Sequence, residues 1–264
     1  MASSTGVGDG GCPTLESVRK SLVRQEDTIV FCLIERAKFP TNSPLYDEQS
    51  SSSSPASRVP MWPGSMFEYI VRETEALQSK VGRYLSREEN PFFPNDIPSP
   101  FVPSREHTLF LHPVADSVNV NEKVWDLYLN QLLPLLAVKG DDGNYVPTAS
   151  ADIHCLQALS RRIHYGKFVA EVKFREAPHD YTPAIIAQDR EALMKLLTFE
   201  AVEEMVKKRV EKKGMEFSKE VTVNGGGAVS TCKIDPSLLS RLYGEWVIPL
   251  TKLVEVEYLL RRLD

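Results

Sequence analysis

Apolar residues recur every three or four positions along most of this chain, and that spacing restricts it to a helical fold. Leu15, Val18, Leu22, Ile29 and Leu33 form one stripe of a helix that Thr14 can cap and that runs to about Lys38. Ser65 and Glu68 have the SxxE spacing of a capping box, and Phe67, Ile70, Thr74, Leu77 and Val81 line the helix behind them. A third helix is expected over 121–138, stopping at Gly140, with Asp141-Asp142-Gly143-Asn144 as a turn. A long helix over 150–174 follows, with Gly166 tolerated inside it, then shorter helical pieces over 183–197. Thr198 can cap a further helix reaching Lys213. Asp235 and Pro236 open the last one, which runs to the C-terminus with a kink at Pro249.

The connections carry little chemistry. Five prolines between Asn90 and Pro103 demand an irregular segment, and Ser50 to Ser54 is a polar loop. Asn224-Gly225-Gly226-Gly227 lacks the spacing and the strand–turn–helix setting of a phosphate cradle and reads as a turn. Only Glu220 to Val223 looks strand-like. There is no internal repeat, and no Pro/Gly linker separates two halves. The expectation is an all-α, single-domain bundle of long helices over 14–264, behind a flexible N-terminus, 1–13.

Several function classes are disfavoured. The net charge is −5 over 264 residues, where a nucleic-acid partner favours a basic stripe. The nearest candidate, Lys207-Lys208-Arg209 with Lys212-Lys213, reads as the solvated face of a helix. No apolar run is long enough to span a bilayer, so no membrane partner is expected. Cys12, Cys32, Cys155 and Cys232 are scattered without a CxxC pair, which suits free thiols in a reduced compartment. His107, His112, His154, His164 and His179 lack metal-ligand spacing and read as surface or core residues, so no metal is expected. Met1 to Gly11 has neither the basic and apolar regions of a secretory signal nor the Arg-rich character of a transit peptide. The expected location is the cytosol.

The informative residues are charges beside the apolar stripes. Arg162 and Lys173 lie eleven positions apart, which on a helix is three turns and a difference of about 20°, so they share one face. Thr251 and Glu255 share a face of the last helix among Leu250, Leu253, Val254 and Val256. Glu203 follows Ala201 and Val202, and Arg19 adjoins the stripe of the first helix. Two cations on so apolar a face suit an anion site. Interhelical ion pairs, such as Arg162 with Glu203, account for the same pattern, and pattern alone favours them.

Longer stretches carry more information. They are Ser17-Val18-Arg19, Val23 to Ile29, Ile34-Glu35-Arg36, Asn90-Pro91-Phe92-Phe93-Pro94, Cys155 to Glu171, and Val254 to Leu263. On these stretches the sequence resembles the eukaryotic, all-helical chorismate mutases, from about residue 14 to the end. The resemblance implies a homodimer and a pericyclic rearrangement of chorismate to prephenate that needs no cofactor. It implies that Arg19 and Arg162 bind the substrate's carboxylates, whose geometry a planar guanidinium matches. Lys173 and a protonated Glu255 would meet the ether oxygen, Glu203 would accept from the ring hydroxyl, and Thr251 would support the pocket. Phe199 departs from the fungal pattern, which has an amide there, and is left out of the polar site.

The resemblance also implies where regulation would act. Regulated members bind aromatic amino acids at the dimer interface, using a pair of arginines near the second helix and a Gly-Ser pair ahead of the long one. This chain has Gly82-Arg83 and Val146-Pro147 at those positions. Pro147 has no N–H to donate, and Val146 adds bulk. The expectation is an enzyme insensitive to tryptophan, tyrosine and phenylalanine, of the plant cytosolic type. The competing reading is a non-catalytic helical dimer that binds a dianionic metabolite or a protein.

Overall fold

Thr14 opens the first helix, α1 (Leu15–Arg36), by accepting from the Ser17 backbone N–H while Ser17 Oγ accepts from its own. This reciprocal pairing satisfies two donors that a helix start otherwise leaves free. The computed structural model describes residues 13–47, 62–103, 110–217 and 234–264, and all their regular elements are helical. The serine loop, the strand-like Glu220–Val223, the triple glycine, Cys12, His107 and Cys232 lie outside the described residues.

In α2 (Met66–Lys80) only half of the expected box forms. Ser65 accepts from the Glu68 N–H, but the Glu68 carboxylate turns to Arg72. The buried face also differs from the expected one: of that set only Phe67 is buried, and Leu77 and Val81 are exposed. Instead Val71, Glu75 and Ser79 turn inward. Glu75 accepts from the Phe92 and Phe93 N–H groups and Ser79 donates to the Pro98 carbonyl, so polar side chains pin the proline-rich segment. Hydrogen bonding from an irregular segment overrides the apolar period there.

The third helix is α3 (Asn121–Asp126), a π turn (Leu127–Leu132) and α4 (Leu133–Leu136) in one run. The expected long helix begins at Tyr145 and is broken at Tyr165 into α5 (Tyr145–His164) and α6 (Gly166–Glu176). The next piece is likewise two, α7 (Pro178–Ile186) and α8 (Arg190–Leu197). Thr198 does not cap α9 (Glu200–Phe217). Its hydroxyl donates back to Met194, and the Phe199 carbonyl takes the first N–H groups of α9. Asp235 does cap α10 (Pro236–Leu242), which passes through a second π turn (Tyr243–Val247) into α11 (Ile248–Leu260). Both π turns come just ahead of a proline, Pro134 and Pro249. A residue without an N–H, whose ring crowds the preceding turn, is accommodated by widening that turn.

Helix α11 is apolar nearly all round, and such a helix belongs inside. It packs against α5, α6 and α8, while α1 lies along α5, α6 and α9. The pair Arg36–Asp152 ties α1 to α5 and is fully buried. Arg36 also donates to the carbonyls of Phe39, Pro40 and Thr41, and Asp152 takes the Tyr46 and Tyr128 hydroxyls. A satisfied pair of this kind is costly to break, about 3–5 kcal/mol when one partner is removed.

Candidate active site

Five helices, α1, α5, α6, α9 and α11, surround a cavity of about 460 Å³, with α7 and α8 at its side. Arg19, Arg162, Lys173, Glu203, Thr251 and Glu255 all line it. These six come from five separate elements, and the sequence singled out each of them.

Arg162 is the most telling. It is only 5% exposed. Nη1 donates to Thr251 Oγ1 at 3.3 Å, and the guanidinium lies over the Tyr243 ring. Thr251 in turn donates to the Val247 carbonyl, which fixes its hydroxyl. Among the described residues Arg162 pairs with no carboxylate, and its buried Nε has no hydrogen-bond partner. The expected alternative, an Arg162–Glu203 bridge, is absent: Glu203 pairs with Lys252 at 3.0 Å. A buried cation with no carboxylate in ion-pair contact is costly to keep, so its site suits an anionic ligand.

Arg19 is exposed at the cavity rim and makes no ion pair among the described residues. Lys173 Nζ sits 3.3 Å from Glu255 Oε2. Burial raises the Glu255 carboxyl above its ordinary pKa, against the pull of Lys173, Arg162 and Lys252. The site therefore holds a carboxyl biased toward its protonated form beside three cations.

Gly166 lets this happen. A Cβ there would meet the Thr251 carbonyl oxygen at 2.8 Å and Glu255 Cγ at 3.3 Å. Its absence allows α11 to approach α6 closely, bringing Thr251 and Glu255 beside Arg162 and Lys173.

Lys252, Glu176 and Asp180 also line the cavity and had no sequence signal as site residues, and Phe199, which the sequence reading left out of the polar site, lines it too. The basic run of α9 is not simply a solvated face: Arg209 and Lys213 turn inward to Glu26, which is fully buried. Among the described residues no cluster of three or more His, Cys, Asp or Glu is arranged to hold a metal. His164 is a satisfied core residue, accepting from the Val120 N–H and facing the Ser160 carbonyl.

The positions matched to an effector site stand apart from the cavity. Gly82 has a left-handed φ of 87° and precedes Arg83, which pairs with Glu89 and donates to Gln78. Arg83 helps line a cavity of about 180 Å³ with residues of α1 and α5. Val146 and Pro147 lie in the first turn of α5 and do not line it.

The model of the family "chorismate mutase type II" matches residues 147–256. The chain is 62% identical to chorismate mutase 2 of Petunia hybrida over 95% of this chain and 94% of that one. The chain belongs to the chorismate mutase family. It is 51% identical to the cytosolic chorismate mutase 2 of Zea mays, covering 95% of this chain and 96% of that one. Among solved structures it is similar to AtCM1 with tyrosine bound in its allosteric site, with a TM-score of 0.83, 49% identity, and 97% and 99% of the two chains covered. It is also similar to the Candida albicans chorismate mutase in complex with tryptophan, with a TM-score of 0.86, 34% identity, and 94% and 91% covered. Among its described residues this mutase is all-helical, and none of those helices is long and apolar enough to cross a membrane.

Proposed function

We propose that the 460 Å³ cavity is where this mutase converts chorismate to prephenate, and that Arg19, Arg162, Lys173 and Glu255 carry the reaction. The observation that carries this reading is Arg162, buried without a carboxylate partner among the described residues. In the rearrangement the ether C–O bond breaks while a new C–C bond forms within the same molecule. Catalysis then lies in holding the reactive conformer and stabilising charge on the departing oxygen. Arg162 and Arg19 take the two carboxylates. Lys173 and protonated Glu255 donate to the ether oxygen. Glu203, already steadied by Lys252, accepts from the ring hydroxyl with its other oxygen. Thr251 holds Arg162 in place.

The residues from 14 to 264 would act as one unit, in a homodimer. The exposed Leu77, Val81 and Phe101 support a second copy as cover, since Phe101 is tied by its N–H to the Lys80 carbonyl beside the other two. Insensitivity to aromatic amino acids is supported by Arg83, whose three nitrogens already donate to Glu89 and Gln78, and by Pro147, which offers no N–H. A cytosolic location is supported by the maize relative named for that compartment.

The test is loss of chorismate absorbance by the purified full chain and by Arg162→Ala. The reading expects a fall in kcat/KM of about a hundredfold or more for the variant, with its circular dichroism unchanged. It also expects rates unaffected by tryptophan, tyrosine or phenylalanine, and a dimer in sedimentation. Parental turnover by a folded Arg162→Ala protein would overturn the site. A several-fold response to any effector would overturn the insensitivity.

A further inference from the structure

Phe199 is a cavity residue that the core does not explain. Its side chain is 54% exposed and belongs to neither hydrophobic cluster. It stands at the start of α9, where its carbonyl takes the first N–H groups and a serine, threonine or aspartate would add a side-chain cap. Neither burial nor capping accounts for a phenylalanine there. Its ring faces Lys173, whose ammonium nitrogen is 5.3 Å from the ring centroid, within cation–π range. With Asp180 and Leu196 it also walls an open groove between α7 and α8, so the ring borders both that groove and the catalytic cavity.

We propose that Phe199 is a positioning residue for the rearrangement, its ring holding the Lys173 ammonium in the cavity and shielding it from the groove. This rests on the reading of Lys173 as donor to the ether oxygen. A lysine side chain has four flexible bonds and needs a second anchor besides Glu255. A carboxylate in that place would take an N–H for itself. An aromatic face attracts the charge without accepting a strong hydrogen bond, which leaves the ammonium protons free for the ether oxygen. Glu255 has a partner of its own to find in the substrate, whereas the ring, having no polar group, has no competing hydrogen bond to make there.

Steady-state kinetics of the full chain tests this with Phe199→Leu, Phe199→Trp, Lys173→Gln and the Phe199→Leu/Lys173→Gln double variant. Circular dichroism and thermal melting monitor the fold. The expected result is kcat roughly tenfold lower for Phe199→Leu with KM little changed, recovery to within about twofold by Phe199→Trp, and no further loss from Phe199→Leu once Lys173 is glutamine. Parental kcat for Phe199→Leu, a rise in KM alone, equal losses for Leu and Trp, or a full loss persisting in the double variant would each overturn the proposal. Parental turnover by Lys173→Gln would remove the reading of Lys173 and this proposal with it. A collapse in Lys173→Gln beside an unaffected Phe199→Leu would remove only the role of Phe199.

Discussion

At Glu255 two influences oppose each other, and burial wins. Desolvation favours the neutral acid more than Lys173, Arg162 and Lys252 together favour the carboxylate, so its pKa is raised. A bound dianion adds a further push in the same direction. The protonated form is the one that donates, so kcat should fall as pH rises through the pKa of Glu255 in the bound state. Glu255→Gln, which donates at every pH, should flatten that fall. The pH profile of kcat for the two proteins checks this, and an identical fall in the glutamine variant would refute the role. At this scale the sequence was partly legible. Arg162 and Lys173 share a face because eleven residues make nearly whole turns. Lys252, next to Thr251, reads as an ordinary solvated lysine until Glu203 is found against it. Glu26 was illegible, since its burial depends on Arg209, 183 positions away.

The helices themselves were legible where one apolar stripe meets one core, as in α1, and where a cap and a proline mark a start, as at Asp235 and Pro236. Periodicity misread α2, because Glu75 and Ser79 are buried by a proline-rich segment whose path no period encodes. It also read Gly166 as merely tolerated inside a long helix, when that glycine sets the spacing of α6 and α11. Gly166→Ala should therefore destabilise. Alanine gains about 0.5–1 kcal/mol in helix propensity. Its Cβ, however, meets a backbone carbonyl at 2.8 Å that moves only if α11 moves. Overpacking of that kind costs about 1–3 kcal/mol, so the loss outweighs the gain. The midpoint of urea unfolding should drop, and kcat should drop with it as Thr251 and Glu255 shift. A variant as stable and as active as the parent would show that the close approach is dispensable.

For the whole molecule, the fold class followed from pattern, whereas the cavity did not, because it is formed by helices far apart in sequence. Assembly also fixes how stability responds to acid. Burial, helped by the nearby Lys167, pushes His164 down to about 3, while an unfolded chain leaves a histidine near its ordinary value. Between those values the unfolded state binds a proton that the folded state refuses. Stability should then fall as pH drops from about 6.5, with a His164 contribution approaching 1.4 kcal/mol per pH unit at its steepest. Urea midpoints against pH should show a shallower acid loss in His164→Gln than in the parent, and equal slopes would contradict the assignment. The most direct test of the central claim is a crystal structure of the full chain with a non-reacting dicarboxylate mimic of the transition state. The account predicts its carboxylates on Arg19 and Arg162 and its ether oxygen against Lys173 and Glu255. A mimic bound elsewhere, or one that leaves Arg162 without an anionic partner, would contradict it.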